Sequence, residues 1–542
     1  MKHPDRTGSR TAAVALRYWL ALWLAAWVAA PAAQAAKKKP APPPPDRLRA
    51  RIEAILSQPD AWRAHWGIKV VSLDRGQAVY SYNEHKFFVP ASNTKLFTTA
   101  LALSTLGPQF RFRTTVEATA PPGKYGRVAG ELWLVGRGDP NLSARPLPYR
   151  PGVEREGWPL QALDALADQV AARGVRYVDG DLVADDTYFV YERYGEGWAQ
   201  DDLVWWYGAP VSALSISDNI LFLDVLPAER PGERALVRLE PFQDYYRIEN
   251  RVVTVEAKQQ APRAGSGAEA AKESPARSIA VRREPGSRTL EVWGRIPLDD
   301  SGAHEQVAIE DPAEFAGLYL REALLRRGVV IYGKVRARHA YPSEFEDLRK
   351  AAAVAGPPRT VLAAYQSVPL GDDLKVINKV SQNLHAEILL RTVARERRGI
   401  GSVAAGLEEM REFLDRAGIF QGEYVFYDGS GLSRKNLVTP AAIVALLQYM
   451  DGEAVREVWR DLLPVGGVDG TIGERFKETA AAGGRILAKT GTLGHINALS
   501  GYLTTVKGER LAFSILLNSH NLPSRQATSL VDQICLALVE GR

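Results

Sequence analysis

Helix-rich segments at the two ends of this chain enclose a long middle stretch that has the pattern of short strands. Residues 46–109 contain a short helix, a hairpin and an apolar helical run, and residues 358–542 contain four helices, three strands and a last helix. Between them, residues 110–357 alternate apolar and polar side chains and are rich in glycine, proline and tryptophan. Because strands from both chain ends can share one antiparallel sheet with helices on its faces, we predict an α/β fold interrupted by a mainly β insertion.

The composition is that of an ordinary globular protein, with 46% apolar and 24% charged residues in a chain of 542. Its one cysteine, Cys535, excludes an internal disulfide framework, and its eight histidines show no H-x-x-x-H spacing that would suggest zinc. Four basic residues against one acidic residue in positions 1–35 contribute most of the net charge of +5. The rest of the chain is nearly neutral, so no nucleic-acid partner is expected.

Residues 1–35 have the three parts of a secretory signal peptide: a basic start, an apolar run of 13 residues at Tyr18–Ala30, and small residues at Ala33 and Ala35. Spanning a bilayer takes about 20 residues, so cleavage near Ala35 is favoured over the alternative, an uncleaved membrane anchor. Residues 36–45 are predicted to be an extended Lys/Pro-rich tether, since proline favours polyproline II. We therefore expect an exported, periplasmic protein that can associate peripherally with the membrane or cell wall.

The first candidate for chemistry is Ser92-x-x-Lys95, which opens an apolar helical stretch. Residues three apart share one face of a helix, so the Lys95 amine can reach the Ser92 hydroxyl. An ordinary lysine, with a pKa of about 10.4, is protonated at neutral pH, and burial or a neighbouring cation must lower that pKa before the amine can act as a base. About one or two such matches are expected by chance in a chain of this composition, so the motif alone decides nothing.

A second candidate is the triplet Ser381-x-Asn383, within a helix predicted over Asp373–Arg395. Among the other Ser-x-Asn triplets, those that begin at Ser217 and Ser519 lie beside strands and are interpreted as turns. The triplet at Ser381 is preferred because it lies in the domain that also holds the Ser-x-x-Lys motif.

The third candidate is the most specific, because K-T-G occurs once, at Lys489-Thr490-Gly491, and Thr492 follows it. About 0.1 such triplets are expected by chance. The residues before it, Arg485–Ala488, are typical of an apolar strand. An ammonium, a hydroxyl and a closely approaching glycine backbone on a strand edge suit an extended peptide that ends in a carboxylate.

The serial order of S-x-x-K, S-x-N and K-T-G is similar to that of the penicillin-recognising serine acyl-transferases, which comprise penicillin-binding proteins and serine β-lactamases. Three further stretches narrow the resemblance: LVGRGDP at 134–140, YDGSGLS at 427–433 and LPVGGVDGT at 463–471. Together with the large insertion they resemble the D-alanyl-D-alanine carboxypeptidase/endopeptidase family known as penicillin-binding protein 4. The resemblance covers residues 46–541.

This resemblance implies a fold with a β-lactamase/transpeptidase-like domain, residues 46–109 and 358–542, as the serine DD-peptidase domain. The insertion, residues 110–357, would then hold two small β-rich domains, with an inner one at about 215–297 nested in the other. The low-complexity segment Gln259–Ser278 is predicted to be a loop and departs from a compact insertion.

The resemblance also implies catalytic roles for five residues. Ser92 would be the acylated nucleophile and Lys95 its general base. Ser381 would relay a proton to the leaving D-alanine nitrogen, Asn383 would hold the substrate amide, and Lys489 would supply positive potential.

Substrate binding is assigned by the same resemblance to the K-T-G strand. Thr490 and Thr492 would bind the terminal carboxylate beside the Gly491 backbone, and the N–H groups of Ser92 and Thr492 would form an oxyanion hole. Asp139 is a candidate contact for the diamino acid of the stem peptide. No metal or other cofactor is required, and β-lactams would acylate Ser92 as covalent inhibitors.

Three functions remain open from the sequence. The first is a DD-peptidase that acts on peptidoglycan stem peptides, as a carboxypeptidase or also on D-Ala–diamino acid cross-links. The second is a β-lactamase, although Glu387 lacks the sequence context of a water-activating glutamate. The third is a peptidoglycan-binding scaffold without activity, which the three intact motifs argue against.

Overall fold

The computed structural model describes residues 47–59, 61–241, 243–256, 277–342, 358–479 and 483–541. The predicted signal peptide and tether lie outside the described residues, and so does nearly all of the predicted loop Gln259–Ser278. Within the described ranges, no helix is both long enough and apolar enough to span a membrane.

The helices of the described residues are α1 (Arg47–Leu56), α2 (Thr94–Leu106), α3 (Gln161–Ala172), α4 (Pro312–Arg326), α5 (Leu370–Lys375), α6 (Asn383–Arg398), α7 (Val403–Arg416), α8 (Pro440–Gly452), α9 (Arg456–Asp461) and α10 (Ser524–Glu540). The strands are β1 (His65–Ser72), β2 (Ala78–Tyr82), β3 (Arg113–Ala118), β4 (Arg127–Val128), β5 (Leu132–Val135), β6 (Tyr177–Val178), β7 (Leu182–Val190), β8 (Ile220–Leu226), β9 (Leu236–Glu240), β10 (Arg247–Val255), β11 (Ser278–Arg282), β12 (Thr289–Pro297), β13 (Ala303–Ala308), β14 (Val330–Ile331), β15 (Val335–Ala340), β16 (Thr360–Gln366), β17 (Tyr424–Val425), β18 (Leu437–Val438), β19 (Ile486–Leu493), β20 (Ile496–Thr504) and β21 (Arg510–Asn518).

The α/β domain is built on a five-stranded antiparallel sheet in the order β19-β20-β21-β1-β2. Strands from the two chain ends meet where β1 pairs with β21 along its whole length. Two of the three inner strands, β20 and β21, are buried on both faces, because α1 and α10 pack on one side and α2 and α8 on the other. The predicted antiparallel sheet flanked by helices is therefore confirmed.

Helix α2 is the central helix of this domain, and every residue from Thr94 to Leu103 is buried. Its apolar side chains share one core cluster with side chains of the sheet, and the helix packs against α6. It begins directly after a single 3₁₀ turn, Ala91–Asn93. A rigid buried helix is thus placed to fix the position of the Ser92-x-x-Lys95 motif.

The helix predicted over Asp373–Arg395 is interrupted. It consists of α5, a π-helical turn at Val376–Val380, and α6, and the break falls at Ser381 with a left-handed φ of 67°. The Gln382 side chain then accepts a hydrogen bond from the N–H of Leu384 and caps α6. This break turns Ser381 out of the helical path, which a continuous helix would not do.

The described residues of the insertion contain one five-stranded mixed sheet, in the order β15-β7-β5-β3-β16, and three three-stranded sheets, β13-β8-β9, β10-β12-β11 and β14-β6-β4. Helices α3 and α4 pack on the five-stranded sheet, and neither was predicted from the sequence. The insertion is therefore richer in helix than its strand-like sequence pattern suggested.

Two strand pairs reach across predicted domain boundaries, and the boundaries themselves stay predictions. β16 pairs with β3 at the start of the insertion, so the insertion's sheet extends past 357 to Gln366. β13 pairs with β8, so the inner set of strands predicted at 215–297 continues to Ala308. In both cases the last strand follows a turn or a segment without a clear alternating pattern, and only its partner reveals where it belongs.

Candidate active site

The Ser-x-x-Lys motif forms a direct contact at the start of α2. The Nζ atom of Lys95 lies 2.8 Å from Oγ of Ser92, and Lys95 is completely buried, whereas Ser92 is partly exposed. One face of the pair is therefore open to a ligand, and the other is sealed inside the domain.

The Lys95 amine is surrounded by acceptors from distant parts of the chain. Nζ lies 2.6 Å from Oδ1 of Asn383 and 2.6 Å from the carbonyl oxygen of Ser430. Burial lowers the pKa of Lys95 to about 7, against the opposing effect of the carboxylates of Asp428 and Glu387. A large fraction of this amine is therefore neutral at physiological pH and can accept a proton.

The loop that presents the Ser430 carbonyl is held by Glu387 of helix α6. One carboxylate oxygen of Glu387 accepts hydrogen bonds from the N–H groups of Gly429 (2.9 Å) and Ser430 (2.8 Å), and the other lies 2.9 Å from the guanidinium of Arg391. Burial raises the pKa of Glu387, which is completely enclosed. No role in the site was predicted for the 427–433 stretch, and its contact with Lys95 becomes visible only in the fold.

The second serine meets the K-T-G strand. Oγ of Ser381 lies 2.8 Å from Nζ of Lys489, a completely buried residue of β19. Burial and the charge of Lys95 lower the pKa of Lys489 well below its ordinary value. The Asn93 side chain donates a hydrogen bond of 3.0 Å to the Lys489 carbonyl oxygen and so joins this strand to the Ser92 turn.

Two glycines allow this close approach. A side-chain carbon at Gly491 would lie 2.6 Å from the carbonyl oxygen of Pro90, and one at Gly431 would lie 1.9 Å from that of Ala91. Gly431 also has a φ of +83°, which disfavours other residues. The K-T-G strand and the 427–433 loop can therefore contact the nucleophile turn from two sides.

A cavity of about 600 Å³ opens in front of these groups. It is lined by the motif residues Ser92, Ser381, Asn383, Thr490 and Thr492, and further by Asp202, Trp206, Tyr207, Gly431, Leu432, Arg434, Leu493, Gly494, His495, Asn497, His520, Leu522 and Ser524. Asn383 is held by a 2.8 Å hydrogen bond from its amide to the carbonyl oxygen of Tyr207, a residue of the insertion.

Residues of the insertion that line the cavity were missed by the sequence analysis. Among them are Asp202 and Tyr207, which share a side-chain hydrogen bond, and burial raises the pKa of Tyr207 to about 12. Their only sequence signal is a local cluster of aromatic and acidic residues, which resembles many surface turns. Among the residues described by the structure, no group of three or more acidic, histidine or cysteine side chains is placed to hold a metal ion.

Asp139 does not line the cavity. It is 1% exposed, and one of its carboxylate oxygens accepts a hydrogen bond of 2.9 Å from the N–H of Asn141. Burial raises its pKa to about 7. Asp139 therefore belongs to the packed interior near the start of the insertion, and its contact with a diamino acid stays a prediction.

The chain is similar to known D-alanyl-D-alanine carboxypeptidases. The sequence pattern of the D-Ala-D-Ala carboxypeptidase 3 (S13) family matches residues 48–537. A D-alanyl-D-alanine carboxypeptidase of Actinomadura sp. is 37% identical over 504 residues, which are 91% of this chain and 84% of the relative. The D-alanyl-D-alanine carboxypeptidase DacB of Haemophilus influenzae is 26% identical over 466 residues, which are 84% of this chain and 85% of the relative.

The fold has a counterpart among solved structures. The crystal structure of penicillin binding protein 4 (dacB) from Haemophilus influenzae matches with a TM-score of 0.74 at 24% identity, over 90% of this chain and 98% of that one. The resemblance deduced from the motifs is confirmed by these matches. The chain belongs to the D-Ala-D-Ala carboxypeptidase 3 (S13) family and is a serine-type carboxypeptidase.

Proposed function

We propose that this enzyme removes the terminal D-alanine from peptidoglycan stem peptides through a covalent acyl-enzyme on Ser92. The observation that carries the proposal is the pair formed by Ser92 and Lys95, with Nζ 2.8 Å from Oγ and the pKa of the amine lowered to about 7 by burial. A neutral amine at this distance takes the proton of the hydroxyl as the oxygen attacks a carbonyl carbon.

In the acylation step, Oγ of Ser92 bonds to the carbonyl carbon of the penultimate D-alanine, and Lys95 takes its proton. Ser381, held 2.8 Å from the Lys489 amine, passes its proton to the nitrogen of the leaving D-alanine as the C–N bond breaks, and the proton that Lys95 took from Ser92 replaces it. Water then hydrolyses the ester and restores the free hydroxyl. The same chemistry applies to a D-Ala–diamino acid cross-link, whose amide nitrogen replaces that of the leaving D-alanine.

The K-T-G strand positions the substrate in this scheme. Thr490 and Thr492 bind the terminal carboxylate. The negative charge of that carboxylate stabilises the protonated form of Lys489, so that the amine becomes an ammonium when the substrate is bound. The Asn383 amide holds the substrate backbone. The N–H groups of Ser92 and Thr492 stabilise the negative oxygen that develops during attack, a contribution worth about 10²–10³ in rate per donor in serine hydrolases.

β-Lactams are expected to acylate Ser92 because their ring mimics the terminal dipeptide. The competing function, a β-lactamase, needs rapid hydrolysis of that adduct by an activated water. Glu387, the carboxylate weighed for this task, is completely buried and engaged by Arg391 and by two backbone N–H groups. This engagement supports a long-lived adduct and hence a peptidase.

We also place the enzyme in the periplasm, where its peptidoglycan substrate lies. The signal-peptide pattern of residues 1–35 supports export. Fractionation of cells that produce the full chain tests this placement, and N-terminal sequencing of the mature protein tests cleavage near Ala35.

The deciding experiment combines D-alanine release with mass spectrometry of the penicillin-treated enzyme. The wild-type enzyme is expected to release D-alanine from a pentapeptide that ends in D-Ala-D-Ala and to carry one penicilloyl group on Ser92 for many minutes. Ser92→Ala should lose both. Rapid turnover of the adduct would favour the β-lactamase, and D-alanine release by Ser92→Ala would refute the acyl-enzyme.

A further inference from the structure

A second cavity lies in the insertion, next to the active site. It has a volume of about 430 Å³, which is within the range of small-molecule sites. Two tryptophans and four charged residues are among those that line it: Trp205, Trp293, Asp201, Arg282, Arg283 and Glu284. We name it the Trp cleft. No part of the acylation chemistry described for Ser92 uses it.

One short segment, residues 200–207, borders both cavities. Asp201 and Trp205 line the Trp cleft, and the residue that follows each of them, Asp202 and Trp206, lines the active-site cavity. The segment is therefore the wall between the two cavities, and it is one chain segment thick.

The half of the substrate that becomes attached to Ser92 lies beside this wall. The amide of Asn383, which is assigned to the substrate backbone, donates a 2.8 Å hydrogen bond to the carbonyl oxygen of Tyr207 in the wall. In a stem peptide, three residues separate the reacting D-alanine from the amino sugar of the glycan strand, and three extended residues span about 10 Å. This length is sufficient to carry the sugar past a wall that is one chain segment thick.

The wall is held in place by the structure behind it. The N–H of Ala308 donates a hydrogen bond of 2.8 Å to the carbonyl oxygen of Val204. The guanidinium of Arg283 donates a hydrogen bond of 2.9 Å to the carbonyl oxygen of Leu203 and forms an ion pair with Glu310. Both charged side chains of this ion pair are buried. The Trp cleft is therefore preorganised, because its wall is fixed before any ligand binds.

Trp293 projects from the outer face of a strand. In β12 the side chains of Leu290 and Val292 are buried, whereas Trp293 is 40% exposed. Because successive side chains of a strand point to opposite faces of the sheet, the indole lies on the face away from this core. The packing of the strand leaves the ring exposed at the Trp cleft, where it is available to a ligand.

The combination of indole rings and charged side chains fits an amino sugar. The C–H groups on one face of a sugar ring pack against the flat apolar face of an indole. The hydroxyl and N-acetyl groups at the ring edge need both hydrogen-bond donors and acceptors. The exposed ion pair of Arg282 and Glu284 supplies one of each at the cleft, and the Asp201 carboxylate supplies a further acceptor. A purely apolar ligand would desolvate these charged groups without compensation.

We propose that the Trp cleft binds an amino sugar of the glycan strand to which the stem peptide is attached, so that the enzyme prefers glycan-linked stem peptides to free ones. This inference rests on the proposed function of Ser92. The sugar is remote from the bond that breaks and makes the same contacts before and during acylation. Its binding should therefore lower KM and leave kcat unchanged.

The test measures D-alanine release from two substrates that differ only in the sugar, a disaccharide pentapeptide and the N-acetylated pentapeptide without it. The wild-type kcat/KM should be about tenfold higher for the disaccharide pentapeptide. Trp293→Ala should remove most of this preference by raising KM for that substrate, and should leave kcat/KM for the free pentapeptide within about twofold. Trp293→Phe keeps an aromatic ring and should retain part of the preference. Trp62→Ala, a matched change at a tryptophan that is 61% exposed and lines neither cavity, should alter neither value.

Direct binding of the peptide-free disaccharide is measured by calorimetry on enzyme acylated with benzylpenicillin, because Ser92 is then occupied. The acylated wild-type enzyme should bind the disaccharide, and Trp293→Ala should bind it at least about tenfold more weakly.

Four outcomes would overturn the assignment of the Trp cleft and leave the proposed function standing. They are equal wild-type kcat/KM for the two substrates, an unchanged preference in Trp293→Ala, equal losses on both substrates in that variant, and no binding of the disaccharide by the acylated wild-type enzyme. Absence of acylation together with absence of D-alanine release from both substrates would refute the proposed function itself.

Discussion

Lowering the pH through 7 should switch off the acylation of Ser92, because its base is an amine whose pKa burial lowers from 10.5 to about 7. This shift corresponds to about 5 kcal/mol of destabilisation of the ammonium relative to the neutral amine. At pH 7 an ordinary lysine would be about 0.03% neutral, whereas Lys95 is about half neutral, a gain on the order of 10³ in competent base.

The assay is the second-order rate of acylation by a chromogenic cephalosporin between pH 5 and 9. Below the pKa of Lys95 the amine is protonated and cannot accept the Ser92 proton, so the rate should fall about tenfold for each pH unit. Above it the rate should reach a plateau. Lys95→Ala should abolish this dependence and lower the plateau by about 10²–10⁴.

Asn383→Asp tests the electrostatic part of this reasoning. It places a carboxylate at the position 2.6 Å from the Lys95 amine, where it stabilises the ammonium and should raise the pKa by about 1–3 units. The midpoint of the pH profile should move upward by that amount, and loss of the amide contact with Tyr207 should lower only the plateau. A wild-type midpoint above pH 9, a flat profile, or an Asn383→Asp midpoint at or below that of the wild type would refute the assignment of Lys95 as the base.

Three further predictions concern Ser381, Lys489 and Glu387. Ser381→Ala removes the proton relay and should lower kcat for D-alanine release by about 10²–10⁴ with an unchanged thermal midpoint; unchanged kcat in steady-state assays would contradict the relay. Substrate binding should be accompanied by uptake of a proton, because burial lowers the pKa of Lys489 and the carboxylate of the bound substrate favours the protonated amine again. Calorimetry in two buffers of different ionisation enthalpy measures this uptake, and identical binding heats in the two buffers would contradict it. Glu387→Gln breaks the buried ion pair with Arg391 and should lower the free energy of unfolding by about 3–5 kcal/mol, and with it the thermal midpoint. It should also slow acylation, because the N–H of Ser430 is hydrogen-bonded to Glu387. An unchanged thermal midpoint would show that the ion pair is dispensable.

The sequence predicted the α/β domain and its sheet because these depend on local pattern. The strands β19 to β21 and the last helix follow alternating or helical periodicity that is visible in the residues themselves. The break at Ser381 was missed, since it depends on a π-helical turn and on one left-handed residue inside a segment whose apolar pattern continues through it. Local pattern therefore located the motif but not the turn that orients its hydroxyl.

The candidate site residues also differ in how far the local sequence pattern predicts their positions. Ser92 and Lys95 are three positions apart on one chain segment, so helical geometry predicts their contact. Asp139 was chosen for its place in a recognisable stretch, yet its backbone path buries it beside Asn141. Asp202, which lines the cavity, has no motif of its own, because it comes from a loop of the insertion.

What the motifs do not contain is the environment that makes them reactive. The pKa of Lys95 depends on its burial, and the acceptors that hold the buried amine come from Asn383 and Ser430, which lie hundreds of residues further along the chain. Ser430 in turn is held by Glu387 from the helix that carries Asn383. One helix thus supplies both an acceptor for the amine and the anchor of the loop that encloses it. Any substitution that loosens α6 should therefore raise the pKa of Lys95 as water enters, and should reduce activity at neutral pH before it unfolds the domain.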